Sequence, residues 1–300
     1  WVRLTSHASM AGALVYDHLN PVSYEQSIFS AYGASTGYLL GYGATNLSGG
    51  EYLDGARNGS LLSTLGTLGG TALGNQMNFK TSDWVSTGVG LGLSMWHLET
   101  LRTIARDNDW LTYKQGNGLI QTGMGVAGLA LLGTGVKYDI SSADAIFLGS
   151  SAAWGAYYGA LTPIALDVDE QLTGTESIAI TLATSDAFLA AGTIGLLQNR
   201  ITAEQTAIPQ ILGLGGATIG SLGASLFTDS SQAISGAALL GASAGLLGGV
   251  MLERSDSDKV ALGYSMRKPQ WMPSMNLQVS PYTAESGDMG MYLGVMAQPF

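Results

Sequence analysis

The sequence predicts a mainly α-helical protein of glycine-rich helical hairpins, packed by small-xxx-small rows and followed by a short C-terminal antiparallel β segment. Three observations predict it: uncharged stretches of membrane-crossing length, small residues recurring at every fourth position inside them, and a switch to alternating periodicity near the C-terminus. The expected division places the helical-hairpin region at residues 1–258 and the β segment at 259–300.

The uncharged stretches come in order along the chain. There are 25 uncharged positions between Glu25 and Glu51, then 22 each in Arg57 to Lys80, Lys114 to Lys137 and Asp144 to Asp167. Glu204 to Asp229 encloses 24, and Asp229 to Glu253 encloses 23. About 20 helical residues cross a hydrocarbon core of roughly 30 Å, so each stretch is long enough for a spanning helix.

Within these stretches the small residues line up four apart. The rows are Gly33, Gly37 and Gly41; Gly66, Gly70 and Gly74; Ser151, Gly155 and Gly159; Ala183, Ala187, Ala191 and Gly195; Gly216, Gly220 and Ala224; and Gly241, Gly245 and Gly249. Glycine costs roughly 1 kcal/mol against alanine inside a helix, so such rows require a compensating contact. Residues four apart share a face, and a face without side chains admits a neighbouring backbone. The glycines of these rows are therefore the expected helix-packing positions.

Capping phrases mark helix starts. KTSDWVS from Lys80, SSADAIF from Ser141, TSDAFLA from Thr184 and TDSSQAI from Thr228 each set hydroxyls and an acid before an apolar run, predicting helices from about 82, 142, 185 and 229. On this reading Asp186 heads a helix rather than lying inside one. The charged, aromatic stretch 97–117 reads as an insertion outside the apolar slab, and His97 with Glu99 as an end-of-helix pair. After Asp258, KVALGYSMRK, MNLQVSPY and GMYLGVMAQPF alternate between turn-rich connections and read as three strands.

The glycine rows resemble those of bacterial glycine-zipper envelope proteins over most of residues 27–252, and the alternation ending at Phe300 resembles the last strand of outer-membrane proteins. The resemblance implies a bacterial cell-envelope location, the outer membrane before the inner, and a structural or membrane-associated role. It carries over no catalytic residue.

Composition is consistent with an embedded or tightly packed protein. Hydrophobic residues make up 46% of the chain and charged residues 11%, against about 25% in an ordinary soluble domain. Mean hydropathy is +0.22. A net charge of −10 with scattered basic residues argues against nucleic acid as a partner. The absence of cysteine excludes disulfides and thiolate chemistry.

No catalytic, cofactor-binding or metal-ligating set is expected. His7, His18 and His97 have no zinc spacing. The acid pairs Asp107/Asp109, Asp167/Asp169 and Asp256/Asp258 read as solvated turns rather than calcium loops, lacking the glycine and distal glutamate of such a loop. GVGLG at Gly88 reads as packing glycines, since no βαβ unit surrounds it. The sequence thus predicts a non-enzymatic, membrane-embedded or membrane-associated structural protein, scaffolding or forming a passage. Membrane lipid is the expected partner, with a protein partner or a second copy beside it. The alternative is a soluble helical-repeat module that binds a protein.

Overall fold

The structure is a computed structural model that describes residues 23–74, 76–77, 79–137, 140–198, 202–261, 275–283 and 289–297. It is mainly helical. Eight α-helices lie among the described residues: α1 (Tyr24–Leu47), α2 (Tyr52–Gly74), α3 (Thr81–Asp107), α4 (Tyr113–Lys137), α5 (Ser142–Ala165), α6 (Gly174–Gln198), α7 (Ala203–Ser225) and α8 (Ser231–Ala261). The chain divides into two units, Trp1–Val250 and Met251–Phe300.

Capping chemistry sets the helix starts. The Ser23 hydroxyl accepts from the Gln26 backbone N–H while the Gln26 side chain accepts from the Ser23 N–H, closing a capping box. The same three-residue reciprocity recurs at Thr112/Gln115, Thr173/Glu176 and Thr202/Gln205. Ser141 caps α5, and Asp83 accepts from the Lys80 N–H at the start of α3. Of the four predicted starts, α3 and α5 begin within a residue of expectation, and α8 begins two residues later, at Ser231 behind Ser230. The start at 185 is wrong: α6 begins at Gly174 and runs through TSDA without a break. TSDA does not act as a cap, because the Ser185 hydroxyl donates across to the Ala152 carbonyl instead.

The C-terminal ends of α1, α3 and α5 share one geometry. Gly49, Asp109 and Asp167 all adopt positive φ, at 80°, 58° and 60°. In each case the next N–H reaches back to close the turn: Gly50 to Thr45, Trp110 to Ala105 and Val168 to Pro163. These are Schellman-type caps. The stretch 97–117 is accordingly no insertion. It forms the last turns of α3, one such cap and the first turns of α4.

Neighbouring helices pack antiparallel. Facing residues step by four up α1 and four back down α2, as Phe29–Gly70, Gly33–Gly66, Gly37–Leu62 and Gly41–Asn58. The same alternation runs through α7 and α8, as Pro209–Gly249, Leu212–Gly245, Gly216–Gly241 and Gly220–Ala237. Between these glycine-lined hairpins, α4 packs on α1 through Gly118, Gly125 and Gly128, and receives Leu98 of α3 at Gly123. Helix α6 packs on α5 at Gly155 and Gly159. An aromatic set of Phe29, Phe79 and Trp84, edge-to-face between the two phenylalanines and tilted at Trp84, with neighbouring centroids 5.0–5.4 Å apart, joins the start of α1 to the start of α3.

In the second unit two nine-residue strands, β1 (Met275–Thr283) and β2 (Met289–Ala297), pair antiparallel with Val279 opposite Leu293. The strand expected from Lys259 does not begin there, because α8 continues through Ala261. The rest of that segment, 262–268, lies outside the described residues, as does Phe300.

Candidate functional site

The unusual feature of the helical unit is what lies inside and what lies outside. Buried residues are mostly small or polar: Ala105, Ala145, Ala152, Ala217, Ala238 and Ala242 with Gln26, Thr36, Thr45, Asn46, Thr87, Thr100 and Ser185. Large apolar side chains cover the exterior, with Leu197 82% exposed, Ile219 75% and Leu240 74%. Among the described residues, buried large apolar or aromatic side chains are few: Phe29, Leu132 and Trp154. A soluble bundle shows the reverse preference, because large apolar side chains gain about 1.5–3 kcal/mol each on leaving water.

Backbone proximity explains the small interior. An added Cβ at Gly33, Gly37 or Gly41 would overlap the carbonyl of Gly66, Leu62 or Asn58, and at Gly66, Gly70 or Gly74 the obstacle would be Gly33, Phe29 or Gln26. Gly155 and Gly159 face Thr184–Ser185 and Thr181, Gly216 and Gly220 face Gly241 and Ala237, and Gly241, Gly245 and Gly249 face Gly216, Leu212 and Pro209. The rows on α6 and in GVGLG depart from expectation. Gly195 has open space around it, and α6 meets α5 through Thr181, Thr184, Ser185 and Phe188, a stripe rotated from the alanine row. In GVGLG, Gly90 meets Leu131 whereas Gly88 and Gly92 face open space, since residues two apart point to opposite sides of a helix.

Polar side chains bridge the helices where the backbones come close. Asn46 Nδ2 donates to Gln121 Oε1 at 3.0 Å, Asn58 Nδ2 to Thr45 Oγ1 at 3.0 Å, and Gln210 Nε2 to Ser150 Oγ at 2.9 Å. The Gln210 side chain also accepts from the Trp154 indole, and Tyr158 Oη lies 2.6 Å from Ser243 Oγ.

The most chemically distinctive contact joins α3 to α6. His97 Nε2 lies 2.6 Å from Asp186 Oδ1, and His97 Nδ1 lies 2.7 Å from the Leu93 carbonyl. Asp186 stands midway along α6, roughly 18 Å from either helix end at 1.5 Å per residue. His97 is therefore not half of an end-of-helix pair. It is interior to α3, and Glu99 instead accepts from Arg102 one turn on. The two residues of the His97–Asp186 contact are 89 positions apart, so no local spacing in the sequence marks the pair. An apolar groove of about 570 Å³ runs beside it between α3 and α4, lined by Leu93, Leu98, Leu119, Val126, Ser94 and His97 among others.

The acid pairs are turn residues. Asp107 accepts from Thr175 Oγ1 at 2.9 Å and Asp167 from the Gln232 amide, each tying one helix end to another. The side chains of Asp256 and Asp258 lie outside the described residues. No protein family, curated protein or solved structure matches the chain. Among the described residues, three helical segments are long and apolar enough to cross a membrane: Gly174–Gln198, Gln205–Ser225 and Ser231–Glu253.

Proposed function

We propose that the protein is a membrane-embedded structural protein of a bacterial cell envelope, whose helical hairpins pack through glycine-zipper rows into a scaffold or passage-forming bundle without catalytic activity. The observation that carries this reading is the inverted distribution of side chains. Glycine, alanine and hydroxyl residues fill the interior while leucine, isoleucine and phenylalanine line the outside. Lipid removes the penalty on exposed apolar side chains, and close backbone packing then replaces the hydrophobic effect as the source of helix association. The three helical segments long and apolar enough to cross a membrane support the same environment. Anionic side chains at the Schellman-capped end, Asp107, Asp109, Asp167 and Asp169, suit a water-facing edge.

The glycine rows and the alternating C-terminal segment support an envelope location, with the outer membrane as the proposed site and the β segment closing the chain. Fractionation tests the reading. After carbonate washing the protein is expected in the membrane pellet, released by detergent, and density separation of the two envelope membranes assigns the outer one. Recovery as a monodisperse species in plain buffer overturns membrane embedding and favours the soluble partner-binding module.

A further inference from the structure

The His97–Asp186 contact has a proton count that its geometry reveals. The Leu93 carbonyl can only accept, so at 2.7 Å His97 Nδ1 carries a hydrogen. Between Nε2 and Asp186 Oδ1, at 2.6 Å, a second hydrogen must lie on one atom or the other. Imidazolium faces carboxylate in one arrangement, and neutral imidazole faces carboxylic acid in the other. Remove that proton and the Nε2 lone pair points at a carboxylate. Moving the remaining hydrogen from Nδ1 to Nε2 only transfers the repulsion to the Leu93 carbonyl.

We propose that His97 and Asp186 form a proton-binding site that latches α3 to α6, closed while the shared proton is held and open once it leaves. The contact stands near the middle of both helices. A second hydrogen bond between them, Thr175 to Asp107, lies at one end. Opening is expected to be read best at the Gly88–Gly195 level, the end of the α3–α6 pair far from the Asp107–Thr175 bond.

Other titratable groups on the packed helices are engaged or remote. On α3, Arg102 donates to Glu99 and to Asn117 of α4. Helix α4 has its lysines, Lys114 and Lys137, in its first and last turns, and α5 has Asp144 in its first turn, accepting from Ser141. On α6, Glu176 accepts from Thr173. Tyr158 of α5 stacks on Phe188 with its hydroxyl at Ser243, and Tyr157 packs against Trp154. Among the described side chains, none of these is bonded to the pair.

The chain has no cysteine, so spin labels attach only where cysteine is introduced. Gly88 and Gly195 have nothing within 4 Å of an added Cβ and stand at the same level of the antiparallel α3–α6 register. Double electron–electron resonance on the full chain carrying Gly88→Cys and Gly195→Cys, in detergent, reads the separation from mildly acidic to alkaline pH. A short, narrow distance distribution at low pH that shifts to longer distances at high pH is expected. Asp186→Asn donates to a neutral Nε2 while Nδ1–H still serves Leu93, so this variant is expected to keep the short distance at every pH. A pH-independent distance in the parent overturns the latch, as does a transition that survives Asp186→Asn. ¹⁵N-histidine NMR of the unlabelled protein gives a check free of substitution, since only three histidines contribute. His97 is expected to lose its second N–H over the pH range in which the distance changes, and a ring that keeps one protonation state throughout overturns the latch. The measurement in detergent does not depend on bilayer insertion, so its failure is separate from failure of the membrane reading.

Discussion

Replacing Gly245 by alanine tests the packing account with the smallest available perturbation. A Cβ at Gly245 would overlap the Leu212 carbonyl oxygen and stand 2.5 Å from its carbon and 2.9 Å from Gly213 Cα. Ordinary contact needs about 3.4–4 Å between carbons, so α7 and α8 must separate by roughly 1 Å over a surface where Gly216, Gly220, Gly241 and Gly249 make equally close approaches. Forcing a methyl into a packed interface costs typically 1–3 kcal/mol, while alanine regains about 1 kcal/mol of helix propensity. Gly248, three residues on in the same helix, has nothing within 4 Å. Gly248→Ala is therefore expected to stabilise by up to about 1 kcal/mol and Gly245→Ala to destabilise by about 1–2 kcal/mol. Gly245→Leu deepens the loss. Leu247→Ala removes a side chain that is 62% exposed and serves as the control for a large change at the outer face. Thermal and denaturant unfolding in detergent reads all four. A Gly245→Ala protein as stable as the parent, or more so, refutes the close-packing argument, because then no backbone stands where the structure places one.

Asp109 holds φ of 58° and its side chain has no hydrogen bond among the described residues, so Asp109→Gly is expected to raise stability by about 0.5–1 kcal/mol and Asp109→Val to lower it by at least as much, read by the same unfolding assay. Leu214, 63% exposed in the middle of α7, separates the two environments: Leu214→Asp costs about 2.5–3.5 kcal/mol at a bilayer centre and should move the protein out of the carbonate-resistant fraction, whereas on a water-facing surface it leaves fractionation and stability unchanged.

Much of this architecture is written in local sequence. Helix-length uncharged stretches and rows of small residues depend only on composition and on 3.6-residue periodicity, and both were legible. The capping boxes at Ser23/Gln26, Thr112/Gln115, Thr173/Glu176 and Thr202/Gln205 are equally local, each set by a three-residue spacing of a hydroxyl and a Gln or Glu. TSDA misled for a tertiary reason: Ser185 is 1% exposed and spends its hydroxyl on Ala152 of α5, so a local capping pattern was satisfied by a neighbouring helix. Which glycines meet a backbone is likewise a tertiary fact, since Gly245 and Gly248 differ in surroundings and not in residue type. Sequence alone determined that helices would form and that their small faces would need partners, because hydrogen bonding along a helix and the cost of glycine are local quantities. Only the tertiary structure decided that α3 and α6 lie side by side and bring His97 to Asp186, because pairing across 89 residues follows from how whole helix faces fit, and no short-range pattern records that fit.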